Sequence, residues 1–307
     1  MNCKENVTVA IDYARVRQNA EEIVRATGVD VYAVVKANGY GLGARAVARA
    51  IGDVVQGFVV FSVAEAKAYD LWQLTGKPTL CIGPPLDATA EDFLRLHARP
   101  AVSSVEEARR LRAASPVLSV DTGMQRFACP AENVAEALAA GNCTEAFTHA
   151  VRADQAARLV ELVGGRDRGI KLHAAATALL DDPACRLDAV RPGLALYRGA
   201  VRISAPLIET RATRGPAGYT GFVTPHVGVI LAGYARGFRP GPCLVNGRPS
   251  RVLEVGMQSS FIETNETDRA GDEVVLLGDG LEGEQIGAAW KGSAQAVLVQ
   301  LLAGAGS

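Results

Sequence analysis

No stretch of this chain is apolar for long enough to cross a membrane. Its most apolar windows, such as residues 227–232, are only strand-length, against the roughly 18 residues that a span needs. Charge of one sign is not in excess either. The 307 residues hold 32 Lys and Arg against 33 Asp and Glu, a net charge of -1. A chain so balanced carries no electrostatic footprint for nucleic acid or for an acidic membrane surface. The opening Met1-Asn2-Cys3-Lys4-Glu5-Asn6 lacks the apolar stretch of a signal peptide. The six cysteines (Cys3, Cys81, Cys129, Cys143, Cys185 and Cys243) form no C-x-x-C pair, and the histidines do not cluster. Zinc-finger and redox-motif spacings are therefore absent, and no metal site is expected. We read these cysteines as reduced, small hydrophobic residues of a soluble, cytoplasmic protein; a catalytic role would require a neighbouring base. Internal repeats and low-complexity segments are lacking as well.

What is present is an ordinary globular composition, with 49% hydrophobic and 21% charged residues. The length suits one large or two moderate domains. After an opening strand at 7–11, Asp12 is placed to cap a helix from Tyr13 to about Ala26, stopped by Gly28. Strand-like runs follow at 31–35, 58–61, 79–82, 99–102, 117–120, 146–149, 171–173 and 189–191. Helical patterns lie between most of them, as at 64–74, 105–113, 131–140 and 155–163. Such alternation implies parallel strands buried on both faces. Eight units fit a closed (β/α)8 TIM-type barrel, whose reactive side chains sit at the C-terminal strand ends. A doubly wound open sheet competes, but Gly39-Tyr40-Gly41-Leu42-Gly43 lacks the dinucleotide-fingerprint spacing.

From about Ile203 the helical period fades. Short β-rich runs recur at 227–232, 251–255, 261–264 and 273–277, separated by turn signals such as Arg239-Pro240-Gly241-Pro242, Asn246-Gly247 and Gly278-Asp279-Gly280. Residues 285–289 read as a further strand or turn, and 293–302 as a short closing helix. We therefore expect an α/β chain with a barrel over 1–203 and a smaller, mostly β domain over 204–307. Residues 1–11 are free to pair with the latter.

Lys36 is the first chemical anomaly. It follows Val31-Tyr32-Ala33-Val34-Val35, a run that reads as a buried strand, in a chain with only six lysines. A desolvated amine has a lowered pKa and is a good nucleophile towards an aldehyde, whereas a strand-end lysine reaching into water does nothing of the kind. The glycines of the following Ala37-Asn38-Gly39-Tyr40-Gly41-Leu42-Gly43 permit a tight turn and close backbone approach. Tyr40 is placed to donate to a phosphate.

The segment from Val34 to Gly43 resembles the pyridoxal-phosphate attachment motif of alanine racemases. The resemblance continues, in the family's order, through Asp121-Thr122-Gly123-Met124-Gln125-Arg126, Thr148-His149, Val190-Arg191-Pro192-Gly193-Leu194-Ala195-Leu196-Tyr197, Gly218-Tyr219, Gly233-Tyr234-Ala235-Arg236-Gly237 and Val255-Gly256-Met257. It implies a two-domain, fold type III enzyme that interconverts L- and D-alanine, or another small amino acid, with pyridoxal 5'-phosphate. Lys36 would hold the cofactor and move the substrate Cα proton on one face, with Tyr219 as the opposite-face base. In the family this tyrosine enters the partner's barrel, so a homodimer with shared active sites is implied. A free tyrosine ionises only near about 10, and His149 and Arg191 match neighbours that would stabilise its phenolate. Arg191 matches the arginine at the pyridine nitrogen, where a permanently protonated group weakens the electron sink and disfavours decarboxylation and transamination. His173 resembles the histidine that positions it. Tyr40, Thr177 and the amides of Gly193 and Leu194 would hold the phosphate, Tyr234 the phosphate or substrate pocket, and Arg126 and the Met257 amide the substrate carboxylate.

The chain departs from the family's pattern at several places. Ser119 stands where many alanine racemases have a carbamylated lysine, Ala176 where an asparagine is expected, and Arg236 and Gln258 where aspartates are. Ser293-Ala294-Gln295-Ala296 replaces a segment that usually supplies Tyr-Glu, and the chain is short for the family. These changes leave both bases in place and bear on substrate identity and efficiency. Two alternatives follow: a cofactor-binding homologue with altered substrate or lost activity, and a non-enzymatic carrier. The presence of the β domain argues against the carrier. Related decarboxylases use an acidic residue, not an arginine, at the pyridine nitrogen.

Overall fold

The structure is a computed structural model that describes residues 7–303. The expectations for residues 1–6, Cys3 among them, lie outside the described residues. The described chain divides into two compact units, one formed by residues 13–197 and the other by 7–12 together with 198–303. β1 (Thr8–Ile11) belongs to the second.

The first unit is a closed barrel of eight parallel strands in sequence order: β2 (Asp30–Val34), β3 (Gly57–Val60), β4 (Thr79–Cys81), β5 (Ala98–Val102), β6 (Val117–Ser119), β7 (Glu145–Phe147), β8 (Lys171–His173) and β9 (Ala189–Val190). Closure comes from β2 pairing with β9, with Asp30 opposite Ala189 and Val31 opposite Val190. β3, β4, β6 and β7 are buried at every position, as expected of strands covered on both faces. Val34, Val59, Leu80, Ala101, Val117 and Phe147, one from each of six successive strands, form a single interior cluster. The helix Tyr13–Thr27 buries Val16 and Ala20, and its Asn19 amide donates to the Leu196 carbonyl.

Two of the expected helices are interrupted, and residues 105–113 form the helix Val105–Arg110 followed by a 3-10 turn at Arg112–Ala114. Residues 64–74 form the helices Val63–Tyr69 and Leu71–Thr75, broken where Asp70 takes φ 44°. The helix Ala90–Arg95, started by a Thr89–Asp92 capping box, has no counterpart in the sequence reading.

The second unit is an antiparallel sheet. Its remaining strands are β10 (Val201–Pro206), β11 (Glu209–Ala212), β12 (His226–Ile230), β13 (Gly241–Val245), β14 (Arg248–Val255), β15 (Ser260–Thr264) and β16 (Glu273–Leu277), ordered β1-β10-β16-β13-β14-β15-β12-β11. Residues 198–203, assigned to the barrel from sequence, lie in this unit, because β10 pairs with β1 and β16. Residues 285–289 are neither strand nor turn. They fall in the helix Gly283–Ala289, which is held at its start by the Glu282–Gln285 capping box and buries Ile286. The closing helix is Ala294–Ala303.

Candidate active site

Lys36 leaves the C-terminal end of β2 into a left-handed turn. Ala37, Asn38, Gly39 and Tyr40 take φ of 51°, 53°, 64° and 57° in succession. For the three non-glycine residues this costs on the order of 1–2 kcal/mol each, which the surroundings must offset. Part of the offset is local: the Asn38 side-chain oxygen accepts the Ala44 N–H at 2.9 Å, and the Gly43 N–H donates to the Asn38 carbonyl at 2.8 Å. Lys36 is half-buried. Burial first, then the charges of Arg126 and Arg191, lowers its pKa from the usual lysine value, while Glu65 acts the other way.

Arg191 follows β9 and is 4% exposed. Its guanidinium donates to the His173 and Thr148 carbonyls at 3.1 and 2.6 Å, meets His173 Nδ1, and lies 4.5 Å above the Phe147 ring. Desolvation pulls its pKa down to about 9, so at neutral pH it keeps its charge. Since Arg191 only donates, Nδ1 of His173 is the acceptor and the ring proton sits on Nε2, 2.9 Å from Glu145 Oε1. Burial, then Arg191, lowers the His173 pKa to about 4, keeping the ring neutral. Burial pushes Glu145 upward, but the Nε2–H of the neutral His173 and the charge and hydrogen bond of Arg99 outweigh it, leaving the carboxylate at about 2. Arg191, His173, Glu145 and Arg99 thus form one chain of polar contacts, buried at the first three and half-buried at Arg99.

His149, two residues past β7, is exposed, yet its pKa is lowered to about 4 by crowding and by Arg191, Arg126 and Lys36. The hydroxyl of Thr177 accepts the N–H groups of Gly193 and Ala195 at 3.3 and 3.1 Å, with Leu194 between them. A Cβ added at Gly193 would lie 2.3 Å from the Tyr40 hydroxyl, so only glycine lets the tyrosine close over this loop. The sequence-predicted Lys36, Tyr40, Arg126, His149, His173, Thr177, Arg191, Gly193 and Leu194 all belong to the barrel unit. There they sit at or just beyond the C-terminal strand ends.

Tyr219, Tyr234 and Met257 belong to the second unit. Tyr219 is 90% exposed, and the carboxylate of Glu254 fixes its loop by accepting the Tyr219 and Thr220 N–H groups at 2.8 and 2.7 Å. Gly218 has φ 68°, and a Cβ there would strike Phe222 and Glu254. The Tyr234 N–H donates to the Gly256 carbonyl at 2.9 Å and the Ala235 N–H to the Met257 carbonyl at 3.0 Å, which joins the two segments. Both side chains remain exposed.

Sequence reasoning missed Glu65 and Glu145. An acid at the head of the strand-like run Ala146-Phe147 is the available signal for Glu145; Glu65 gives none, since it looks like a surface helix charge. The cysteines Cys81, Cys129, Cys143, Cys185 and Cys243 are free and buried, and burial raises their thiols to between about 11 and 12. They are inert at neutral pH.

The family described as "Alanine racemase, N-terminal domain" matches residues 11–201. The biosynthetic alanine racemase of Escherichia coli (strain K12) is 28% identical over 349 aligned positions, covering 96% of this chain and 96% of that protein. The alanine racemase of Photobacterium profundum is 27% identical, over 86% of this chain and 88% of the relative. Among solved structures, the biosynthetic alanine racemase from Pseudomonas aeruginosa superposes with a TM-score of 0.85 at 23% identity, covering 97% of both chains. That from Bartonella henselae, described with covalently bound pyridoxal phosphate, gives 0.85 at 21% identity over 97% of this chain and 98% of that one. With the family match spanning more than half of its length, and a barrel that carries a buried arginine beside a half-buried lysine, the chain belongs to the alanine racemase family of amino-acid racemases.

Proposed function

We propose that this chain interconverts the L and D forms of alanine or another small amino acid, with pyridoxal 5'-phosphate as cofactor, as a cytoplasmic homodimer. The observation that carries this reading is the pairing of a desolvated Lys36 with the locked, charged Arg191 at one barrel face. The donor set fits the cofactor: an amine for an aldehyde, a hydroxyl and backbone amides beside Tyr40 for a phosphate, and an arginine for a ring nitrogen. When bound, pyridoxal phosphate supplies an electron-withdrawing ring that acidifies the substrate Cα–H.

Lys36 Nζ then takes or returns the proton on one face of Cα, and the Tyr219 hydroxyl on the other. Arg191 keeps its proton, so the electron sink stays weak and proton return is favoured over side reactions. His173 and the Thr148 carbonyl hold that guanidinium in place. Arg126 and the Met257 N–H bind the substrate carboxylate, and Tyr234 closes the pocket. Exposed Tyr219, Val223, Tyr234 and Met257 form the surface of the second unit that a partner subunit would cover.

Pure L- or D-alanine incubated with the protein should lose optical rotation, and the Lys36→Ala variant should not support this. An absorption band near roughly 420 nm, removed by borohydride, would mark the lysine attachment. A second reading, altered substrate choice, is favoured by the short, buried Ser119 and by Ala176 and Gln258. Racemisation of a larger amino acid in preference to alanine would support it.

A further inference from the structure

We propose that Glu65 is a positioning residue for Lys36, riveting the left-handed turn behind the lysine to the end of the neighbouring strand. Its Oε1 accepts the N–H of Ala37 at 2.8 Å, and its Oε2 accepts the N–H of Phe61 at 2.7 Å. Ala37 is the first residue after Lys36, and Phe61 the first after β3. One carboxylate therefore bridges the C-terminal ends of two adjacent barrel strands. Four residues further along the same helix, the Tyr69 hydroxyl accepts the next N–H of the turn, that of Asn38, at 2.8 Å, and lies 3.3 Å from Glu65 Oε1 as its donor. Ser62 fixes the start of this helix by accepting the Glu65 N–H at 3.2 Å.

Two successive left-handed residues thus have their amides captured by one helix, and neither is glycine. Non-glycine residues keep that conformation only where their surroundings impose it. Hydrogen bonds to an ionised carboxylate are the strong class, which suits the task. Glu65 also differs in sign from the other charges acting on Lys36, namely Arg126 and Arg191, with His149 nearby. The same carboxylate therefore fixes both the backbone that aims the amine and the field around it.

The proposal rests on the reading of Lys36 as the cofactor-bearing lysine, so the test reads Lys36 in the cofactor-free full chain. Amide hydrogen exchange, resolved by mass spectrometry, would be compared in the parent, Glu65→Gln and Tyr69→Phe. Reductive methylation of Lys36 by formaldehyde and cyanoborohydride would be followed across pH in the same proteins. In Glu65→Gln the side chain keeps one acceptor but turns an NH2 towards an N–H. Exchange at Ala37 and Phe61 should quicken about tenfold or more, and half-maximal Lys36 labelling should move to lower pH. Tyr69→Phe should quicken Asn38 about tenfold, with a smaller move of the labelling curve. Unchanged exchange, or faster exchange with an unmoved labelling curve, overturns the proposal. Should Glu65→Gln fail to fold, Tyr69→Phe decides, and unaltered Asn38 exchange is then the overturning result. If these shifts occur but added pyridoxal phosphate gives no borohydride-sensitive band, the positioning role stands and the cofactor reading alone falls.

Discussion

A guanidinium sealed in a barrel is costly unless every donor has a partner, and Arg191 is served by two carbonyls and a neutral imidazole. That imidazole must stay neutral, which ties stability to pH. Free histidine titrates near about 6.5, and in the folded chain His173 and His149 are held at about 4. Between these values the unfolded chain binds more protons. The contribution is therefore fully present above about pH 6.5 and is lost as pH falls towards 4. Glu145, held at about 2 against an ordinary value near about 4.3, extends the loss to lower pH. Melting temperature should fall steadily over this range, and His173→Asn should flatten the decline; a flat profile for the parent would contradict the neutral ring. At the phosphate loop, Thr177→Val removes the acceptor of two amides. Retention of pyridoxal phosphate, measured by equilibrium dialysis, should weaken about tenfold. The candidate residues Lys36, Tyr40, Arg126, His149 and Arg191 were picked out by the motifs they stand in. Glu65 and Glu145 were not, because an acid's value to a site depends on which backbone it meets after folding.

Elements with a clean period came through best. The strand at 171–173 was read at its observed bounds, and the barrel strands differ from expectation by only a residue or two at their ends. β13 was hidden by its own Gly241-Pro242, which reads as a turn. Here the fold tolerates proline because β16 pairs only with Leu244 and Val245, so at Pro242 the strand has a single neighbour and one side needs no donor. The turn at Ala37–Tyr40 was legible only as a glycine-permitted tight turn; Asn38 and Gly39 tolerate the left-handed region, and the helix that captures the Ala37 and Asn38 amides was not visible. Two substitutions test how tightly the elements are packed. Gly193→Ala places a Cβ 2.3 Å from the Tyr40 hydroxyl and should cost about 1–3 kcal/mol in urea unfolding, with weakened cofactor retention. Leu118→Ala, at a fully buried position of β6, should cost about 2–5 kcal/mol and leave cofactor affinity near the parent's.

For the whole molecule, the assignment of Lys36 and Tyr219 to different units gives the proposed dimer a distinctive behaviour. If each site takes its tyrosine from the other subunit, Lys36→Ala and Tyr219→Phe are complementary defects. Unfolding and refolding the two inactive variants together should regain about a quarter of the parent's activity, since random pairing makes half the dimers mixed and each of those holds one intact site. Activity that stays at the sum of the separate variants would place both bases within one chain.

β1 is hydrogen-bonded to β10, with Thr8 opposite Ser204, so the sheet of the second unit begins and ends with distant parts of the chain. On a ribosome, that first strand emerges about 200 residues ahead of its partner, a wait of roughly ten to forty seconds at ordinary elongation rates. During that interval an unpaired edge is presented to every other nascent polypeptide nearby. Truncations that stop after the barrel leave β1 without a partner permanently, so shortened products should be bound by chaperones or precipitate, whereas the full-length chain gives β1 its partner once residues 201–206 have been made.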